Sequence, residues 1–240
     1  MSVGKLLSRI VAPGRLHATA TSLHDYHSNV NDFAYGITSD PLIQFACVFS
    51  ALVHDVDHSG VPNTQLVKEG SLLSKYYQGR SVLEQNSIDL AWNHLQTAEF
   101  QDFRRALLPT RDDVTRFRQL VVNIVIATDI MDPDLKKARN ARWEVAFCNE
   151  QTQEAPLSEN PNTTKDCDSV CQQNRKATIV LEHLMQASDV AHTMQHWHVY
   201  RKWNERLFFE MAHSYQVGRA PRHPSEFWYE GEIRFFDFYV

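Results

Sequence analysis

Apolar residues recur along most of this chain at intervals of three and four, the spacing of one face of an α-helix. The clearest block, DPLIQFACVFSALVHDVDH (40–58), opens with Asp40 placed to cap and Pro41 in the first turn, and predicts one helix over 41–58. VTRFRQLVVNIVIATDIM (114–131) is apolar on most sides and predicts a second buried helix. KATIVLEHLMQASDVAH (176–192) and HVYRKWNERLFFEMAHSY (198–215) predict a third and a fourth. SVLEQNSIDLAWNHLQ (81–96) reads as a shorter amphipathic helix, with Ser81 as its cap and Glu84 as capping-box partner. The opening MSVGKLLSRIVAPGRL sets Leu6, Leu7, Ile10 and Val11 on one side, like the tail of an amphipathic helix. No strand-like alternation between hairpin turns and no fixed-period repeat is present.

The pattern lapses between Cys148 and Arg175, where the sequence turns polar; a flexible insertion is expected at about 149–175. A second loop, VGRAPRHPSE (217–226), precedes an aromatic segment that closes the sequence. The expected fold class is all-α, a compact multi-helix bundle, and the expected organisation is one domain over 1–240. A length of 240 residues suffices for a sizeable core, and 43% hydrophobic and 22% charged residues are ordinary for a soluble protein. The net charge of −5 gives no basic surface for nucleic acid. No apolar run approaches the length of a bilayer span, so no membrane contact is expected from this segment. Of the 4 cysteines, Cys167 and Cys171 are spaced C-x-x-x-C without a second pair at zinc-site spacing. Twelve histidines beside so few cysteines point to a reducing, cytoplasmic or cytosol-facing compartment.

Chemistry gathers where apolar blocks end. On the predicted 41–58 helix, His54 and His58 share a face and Asp55 lies about 100° round from it. Imidazole and carboxylate side by side suit a borderline or hard divalent ion. The second and third blocks end in Asp129 and Asp189, so three greasy helices each deliver an acid, and their convergence would build a polar pocket inside the bundle. Taken singly, a His-Asp pair is more often a helix end or a surface ion pair, and Asp129 and Asp189 are ordinary loop starters. His94, His183, His192, His196, His198 and His213 read as structural or surface residues. The whole string H-D-x-x-H-x-G-x-x-N, with a distant Asp behind an apolar helix, is far more specific.

HDVDHSGVPN (54–63), SVLE (81–84), IATDI (126–130), ASDVAH (187–192) and YRKWNERLFFE (200–210) resemble, in order and approximate spacing, the class I cyclic-nucleotide phosphodiesterase catalytic domain. The resemblance implies an all-helical HD-type hydrolase of 3′,5′-cyclic nucleotides with a metal site at its centre. It implies two divalent ions, zinc and magnesium (or manganese), with His54, Asp55 and Asp189 as ligands of the tighter site and Asp55 bridging to the second. His58 is then placed beside the second ion's waters and joins Asp55 in the catalytic set, with Glu84 orienting it. Thr128 and Asp129 fall in the surrounding shell, and Asn63 is a polar residue that stabilises the fold near the site. The implied chemistry is in-line hydrolysis at phosphorus.

The chain also departs from the family pattern. The family's tyrosine-led H-N-x-x-H, which supplies the general acid and a further zinc ligand, is absent; HDYH at His24 to His27 lacks the Asn. The sequence therefore reads as truncated at both ends, and further regulatory domains are expected in the full-length chain. In the closing EGEIRFFDFYV, the family's purine-reading glutamine falls on Glu232 and its base-clamping aromatic on Phe235. An ionised glutamate only accepts hydrogen bonds, and guanine presents adjacent N–H donors, so the substitution tilts the reading to cyclic GMP over cyclic AMP. The alternative is a catalytically degenerate module that binds a nucleotide or a partner. A different HD-type phosphohydrolase fits less well, because SVLE and the purine clamp belong to the phosphodiesterase pattern.

Overall fold

In the computed structural model, which describes residues 2–11, 34–148 and 165–239, the secondary structure is helical, and among the described residues there is no strand. The helices in chain order are Ser2–Val11, Pro41–Val53, Asn63–Lys68, Leu72–Tyr76, Val82–Leu95, Gln101–Leu107, Arg111–Ile126, Pro133–Trp143, Lys165–Asp189, Trp197–Gln216 and Trp228–Tyr239. Among the described residues no helix is long and apolar enough to cross a membrane.

Local rules start the two central helices. The Asp40 carboxylate accepts from the Ile43 N–H at 3.1 Å, with Pro41 in the first turn. Thr110 and Asp113 form a reciprocal capping box at the head of Arg111–Ile126, and Arg116 of that helix pairs with Asp40. Pro41–Val53 and Arg111–Ile126 lie against each other as the centre of the bundle, with Lys165–Asp189, Ser2–Val11 and Val82–Leu95 packed around them. Ala46, Cys47, Phe117, Ile124, Val125 and Leu181 are wholly excluded from water. The Phe117 ring sits 5.6 Å from Phe45, 5.4 Å from Phe49 and 6.5 Å from Trp92, centroid to centroid. A smaller apolar cluster, Val61, Leu66, Val82 and Leu83, seats the 54–62 turn on the start of Val82–Leu95.

The structure departs from the periodicity in three places. The Pro41–Val53 helix stops five residues short of His58. His54 is its C-cap, and Asp57 adopts a left-handed backbone at φ 62°. The stop is imposed from outside: Asn86 donates to the Asp57 carboxylate at 3.0 Å and Ser87 to the Val56 carbonyl at 2.7 Å. His54 and His58 are therefore not stacked on one helical face. Second, residues 165–175, the last part of the expected 149–175 insertion, are helical. Growing an established helix into a polar stretch costs far less than nucleating one. Residues 149–164 lie outside the described residues. Third, Ser81 precedes Val82–Leu95 but makes no capping hydrogen bond, and its backbone is left-handed at φ 39°.

Candidate metal centre

His54 anchors the site. Its Nδ1 meets the Ala51 carbonyl at 3.1 Å, which places the proton on Nδ1 and turns the lone pair of Nε2 to the other side of the ring. Nε2 is buried and has no hydrogen-bond partner among the described residues. It faces two carboxylates, Asp55 Oδ2 at 3.2 Å and Asp189 Oδ1 at 3.5 Å. The three ligand atoms all lie within 4.8 Å of one another, and among the described residues they are the one group of three or more such side chains gathered so closely. Asp55 and Asp189 are 65% and 44% exposed at their side chains, so the cluster is open to solvent on the carboxylate side. An orphaned imidazole nitrogen between two oxygens is a donor set that fits a divalent cation. Without one, the carboxylates of Asp189 and then Asp55 push the His54 pKa up to about 10 despite burial, and His54 in turn lowers that of Asp55.

A polar layer lies beside the cluster. The Asn63 amide donates to Glu84 Oε2 at 2.9 Å and to Asp129 Oδ2 at 3.3 Å, while its carbonyl oxygen accepts from the Leu83 N–H at 3.0 Å. The Ser81 hydroxyl donates to the same Asp129 oxygen at 2.8 Å, and Asp129 Oδ1 accepts from the Met131 N–H. This explains the missing cap: Ser81 is turned inward to hold Asp129, and Glu84 is held by Asn63 instead of reaching back to the helix start. Burial raises the Glu84 pKa, with Asp129 adding to the rise. Thr128 donates to the Val125 carbonyl at 2.8 Å, within its own turn. His58 is exposed, and its Nδ1 accepts from the Gly60 N–H at 3.1 Å, so no Glu84 contact orients it among the hydrogen bonds of the described residues.

Gly60 also fixes where this turn meets the rest of the fold. Its φ is 71°, and a Cβ there would stand 2.7 Å from Glu210 Oε1. The Gly60 carbonyl accepts from Ser214 of the Trp197–Gln216 helix. Gly60→Ala is expected to cost about 1–2 kcal/mol for the left-handed backbone, plus displacement of Glu210, and to lower the melting temperature by several degrees. An unchanged melting curve would show that the turn re-forms around the methyl group.

Glu232 and Phe235, the expected purine-site residues, lie on Trp228–Tyr239, both half-buried. The Tyr200 hydroxyl donates to Glu232 Oε2, Asn204 donates to the Tyr200 oxygen at 3.3 Å, and Trp228 Nε1 donates to Asn204 at 3.3 Å. Burial, and then Glu232, raise the Tyr200 pKa, so this phenol keeps its proton. The His192 ring lies parallel to that of Tyr200 at 6.1 Å and 6.0 Å from Phe235, and His192 Nδ1 is 3.3 Å from the Asp189 carbonyl. His192 thus links the cation cluster to the aromatic end. His24 and His27 lie outside the described residues.

The family model for 3′,5′-cyclic nucleotide phosphodiesterase matches residues 17–229. The chain belongs to the cyclic nucleotide phosphodiesterase family. Among curated relatives, it is 27% identical over 165 residues to a mouse dual specificity calcium/calmodulin-dependent 3′,5′-cyclic nucleotide phosphodiesterase 1B. It is 28% identical over 165 residues to a probable 3′,5′-cyclic-AMP phosphodiesterase of Caenorhabditis elegans. These alignments cover 69% of this chain but 26% and 22% of the relatives, so the chain spans about a quarter of their length. The phosphodiesterase domain of the Salpingoeca rosetta rhodopsin phosphodiesterase has the same fold. Its TM-score is 0.57 at 20% identity, over 90% of this chain and 61% of that one.

In this phosphodiesterase-family chain, sequence reasoning missed Ser81, Asn86, Tyr200, Asn204 and His192. Ser81 carried a signal, since it opens the SVLE motif, but a serine before a helix reads as a cap. His192 and Tyr200 stand inside ASDVAH (187–192) and YRKWNERLFFE (200–210), where no spacing singles them out. Nothing local marks Asn86, whose partner is 29 residues away in sequence, while Asn204 stands one helical turn from its partner Tyr200.

Proposed function

We propose that this chain hydrolyses 3′,5′-cyclic nucleotides to 5′-nucleotides, using two divalent ions, and prefers cyclic GMP to cyclic AMP. The observation that carries this reading is the buried, unpartnered Nε2 of His54 facing Asp55 and Asp189 in a chain of this family. These three residues would hold the tighter, zinc-type ion, and the more exposed Asp55 would be shared with a magnesium- or manganese-type ion. Such ions supply positive charge at the phosphoryl oxygens and make water more acidic.

The chain's own groups have complementary tasks. His54 presents a fixed lone pair because Ala51 holds its other nitrogen. Glu84, its pKa raised by burial, is suited to take up and return a proton while Asn63 keeps it in place. His58 has its Nδ1 held by the Gly60 N–H, so Nε2 is the ring nitrogen that would meet the waters of the second ion. Asp129 and Thr128 would orient water around the ions. Phe235 would stack on the purine, and Glu232, whose carboxyl group accepts from the Tyr200 hydroxyl, would face the paired N–H donors of guanine. The free thiols of Cys47, Cys148 and Cys171 fit a cytosol-facing setting.

The test is turnover of cyclic GMP and cyclic AMP by the 240-residue chain with magnesium and zinc supplied. Glu232→Gln is expected to shift the cyclic GMP to cyclic AMP ratio of kcat/KM about tenfold toward cyclic AMP, the worth of one charge-assisted hydrogen bond. An unmoved ratio would remove Glu232 from purine reading. Glu232 at the purine-reading position also admits a second reading, a module that binds the nucleotide without turning it over. Saturable binding with no product would select it.

A further inference from the structure

The Lys165–Asp189 helix carries Glu182, Gln186 and Asp189 at intervals of four and three, and hence on one face. Asp189 ends that row at His54. One turn back, Gln186 Nε2 donates to the Ala127 carbonyl at 2.7 Å. Another turn back, Glu182 is only 2% exposed, and both terminal nitrogens of Arg142 reach its carboxylate, at 3.0 and 2.7 Å. Buried Arg139, one turn before Arg142 on Pro133–Trp143, points both Nη atoms at the Asp129 carbonyl, at 3.4 and 3.5 Å. Glu182, followed by Asp129, supplies its largest favourable charge.

The turn at 127–129 is thus held by its backbone at two carbonyls, Ala127 and Asp129. Gln186 grips the first directly, and Glu182 acts on the second through Arg139. Packing alone does not require these groups: a buried ion pair contributes little net stability, and apolar side chains of similar size fill such space as well. What they do specify is distance. A hydrogen bond from a helix to a carbonyl fixes the turn along the helix axis, which dispersion contacts do not.

We propose that Gln186 and Arg139 are positioning residues that set the separation between the Asp129 turn and the ligand Asp189, and so the size of the ion site. The inference rests on the metal reading given under Proposed function. Neither residue touches a reacting atom; both act through the 127–129 backbone.

The test is Mn²⁺ binding to the 240-residue chain, measured by titration calorimetry and by the electron paramagnetic resonance spectrum of the bound ion, for wild type, Gln186→Ala and Arg139→Met. Thermal unfolding in chelator runs alongside, so that binding is compared where every variant is folded. The two variants are expected to bind Mn²⁺ roughly 10–100-fold more weakly, with an altered spectrum, and to combine less than additively because they act on one turn. Affinities within about twofold of wild type would overturn the inference and leave both residues with a stabilising role only. Should Arg139→Met fail to fold, half-buried Gln186 carries the test alone. A wild-type chain that binds no Mn²⁺ would sink the metal reading itself, and this inference with it.

Discussion

Asp189→Ala is expected to lower kcat/KM for both cyclic nucleotides by about a thousandfold or more, since an ion at the phosphoryl group contributes several kcal/mol. Asp189 is 44% exposed and takes no part in the apolar core, so the chelated variant should still fold, unfolding below the wild-type temperature only by the loss of its pairing with His54. The same variant should change a proton count. The raised pKa of His54, about 10, means that the ion-free wild type holds a proton there at pH 7. An ion must displace that proton to use Nε2, so metal uptake should release about one proton, visible as a buffer-dependent binding enthalpy. Removing Asp189 takes away the largest cause of the raised pKa and should reduce the release. The sign for stability follows from the same shift. With a folded pKa above the ordinary 6.5, His54 stabilises the ion-free fold fully below about pH 6.5, and the gain fades as pH rises toward about 10. A variant that turns over within tenfold of wild type would move the chemistry away from this cluster.

Phe117→Ala is expected to be the most damaging change to the fold, at about 3–5 kcal/mol. Phe117 has no solvent exposure and lies among Phe45, Phe49 and Trp92, contributed by two other helices, so the cavity cannot be filled from solvent or by one local movement. For a chain of this size that corresponds to a melting temperature lower by roughly 6–20 °C. The loss bears on the site as well, because Arg111–Ile126 leads directly into the 127–129 turn. A loss below about 1 kcal/mol would show that the ring cluster repacks around the gap.

The helices that build the core were legible because a buried face repeats its signature every turn. Pro41–Val53 begins where Asp40 and Pro41 say it should, and the apolar blocks around Phe117 and Leu181 fall in the interior. Its end was not legible. His54 to His58 continues a helical pattern, and what breaks it is Asn86 and Ser87, whose hold on Asp57 and Val56 exists only after the chain has folded. Ser81 misled for a related reason, since a hydroxyl that could cap its own helix serves a distant carboxylate. The candidate ligands were readable from a motif, and the structure gathers His54, Asp55 and Asp189 within a few ångströms. The groups that fix their surroundings (Tyr200 on Glu232, Gln186 on Ala127) were not, because a single side chain on a backbone carbonyl or a lone carboxylate leaves no periodic trace.

The three clustered side chains come from distant parts of the chain, His54 and Asp55 from its first third and Asp189 from its last. An ion gripping all three would be a reversible cross-link closing the long loop between residues 55 and 189. The unfolded chain must give up loop entropy to make that link, while the folded chain has already brought the ends together. The ion therefore favours the native state by mass action, by about 2.7 kcal/mol when its free concentration is a hundred times Kd. Melting temperature should then climb with the logarithm of free metal once that concentration passes Kd, and the onset of the rise gives the affinity of the site without any substrate.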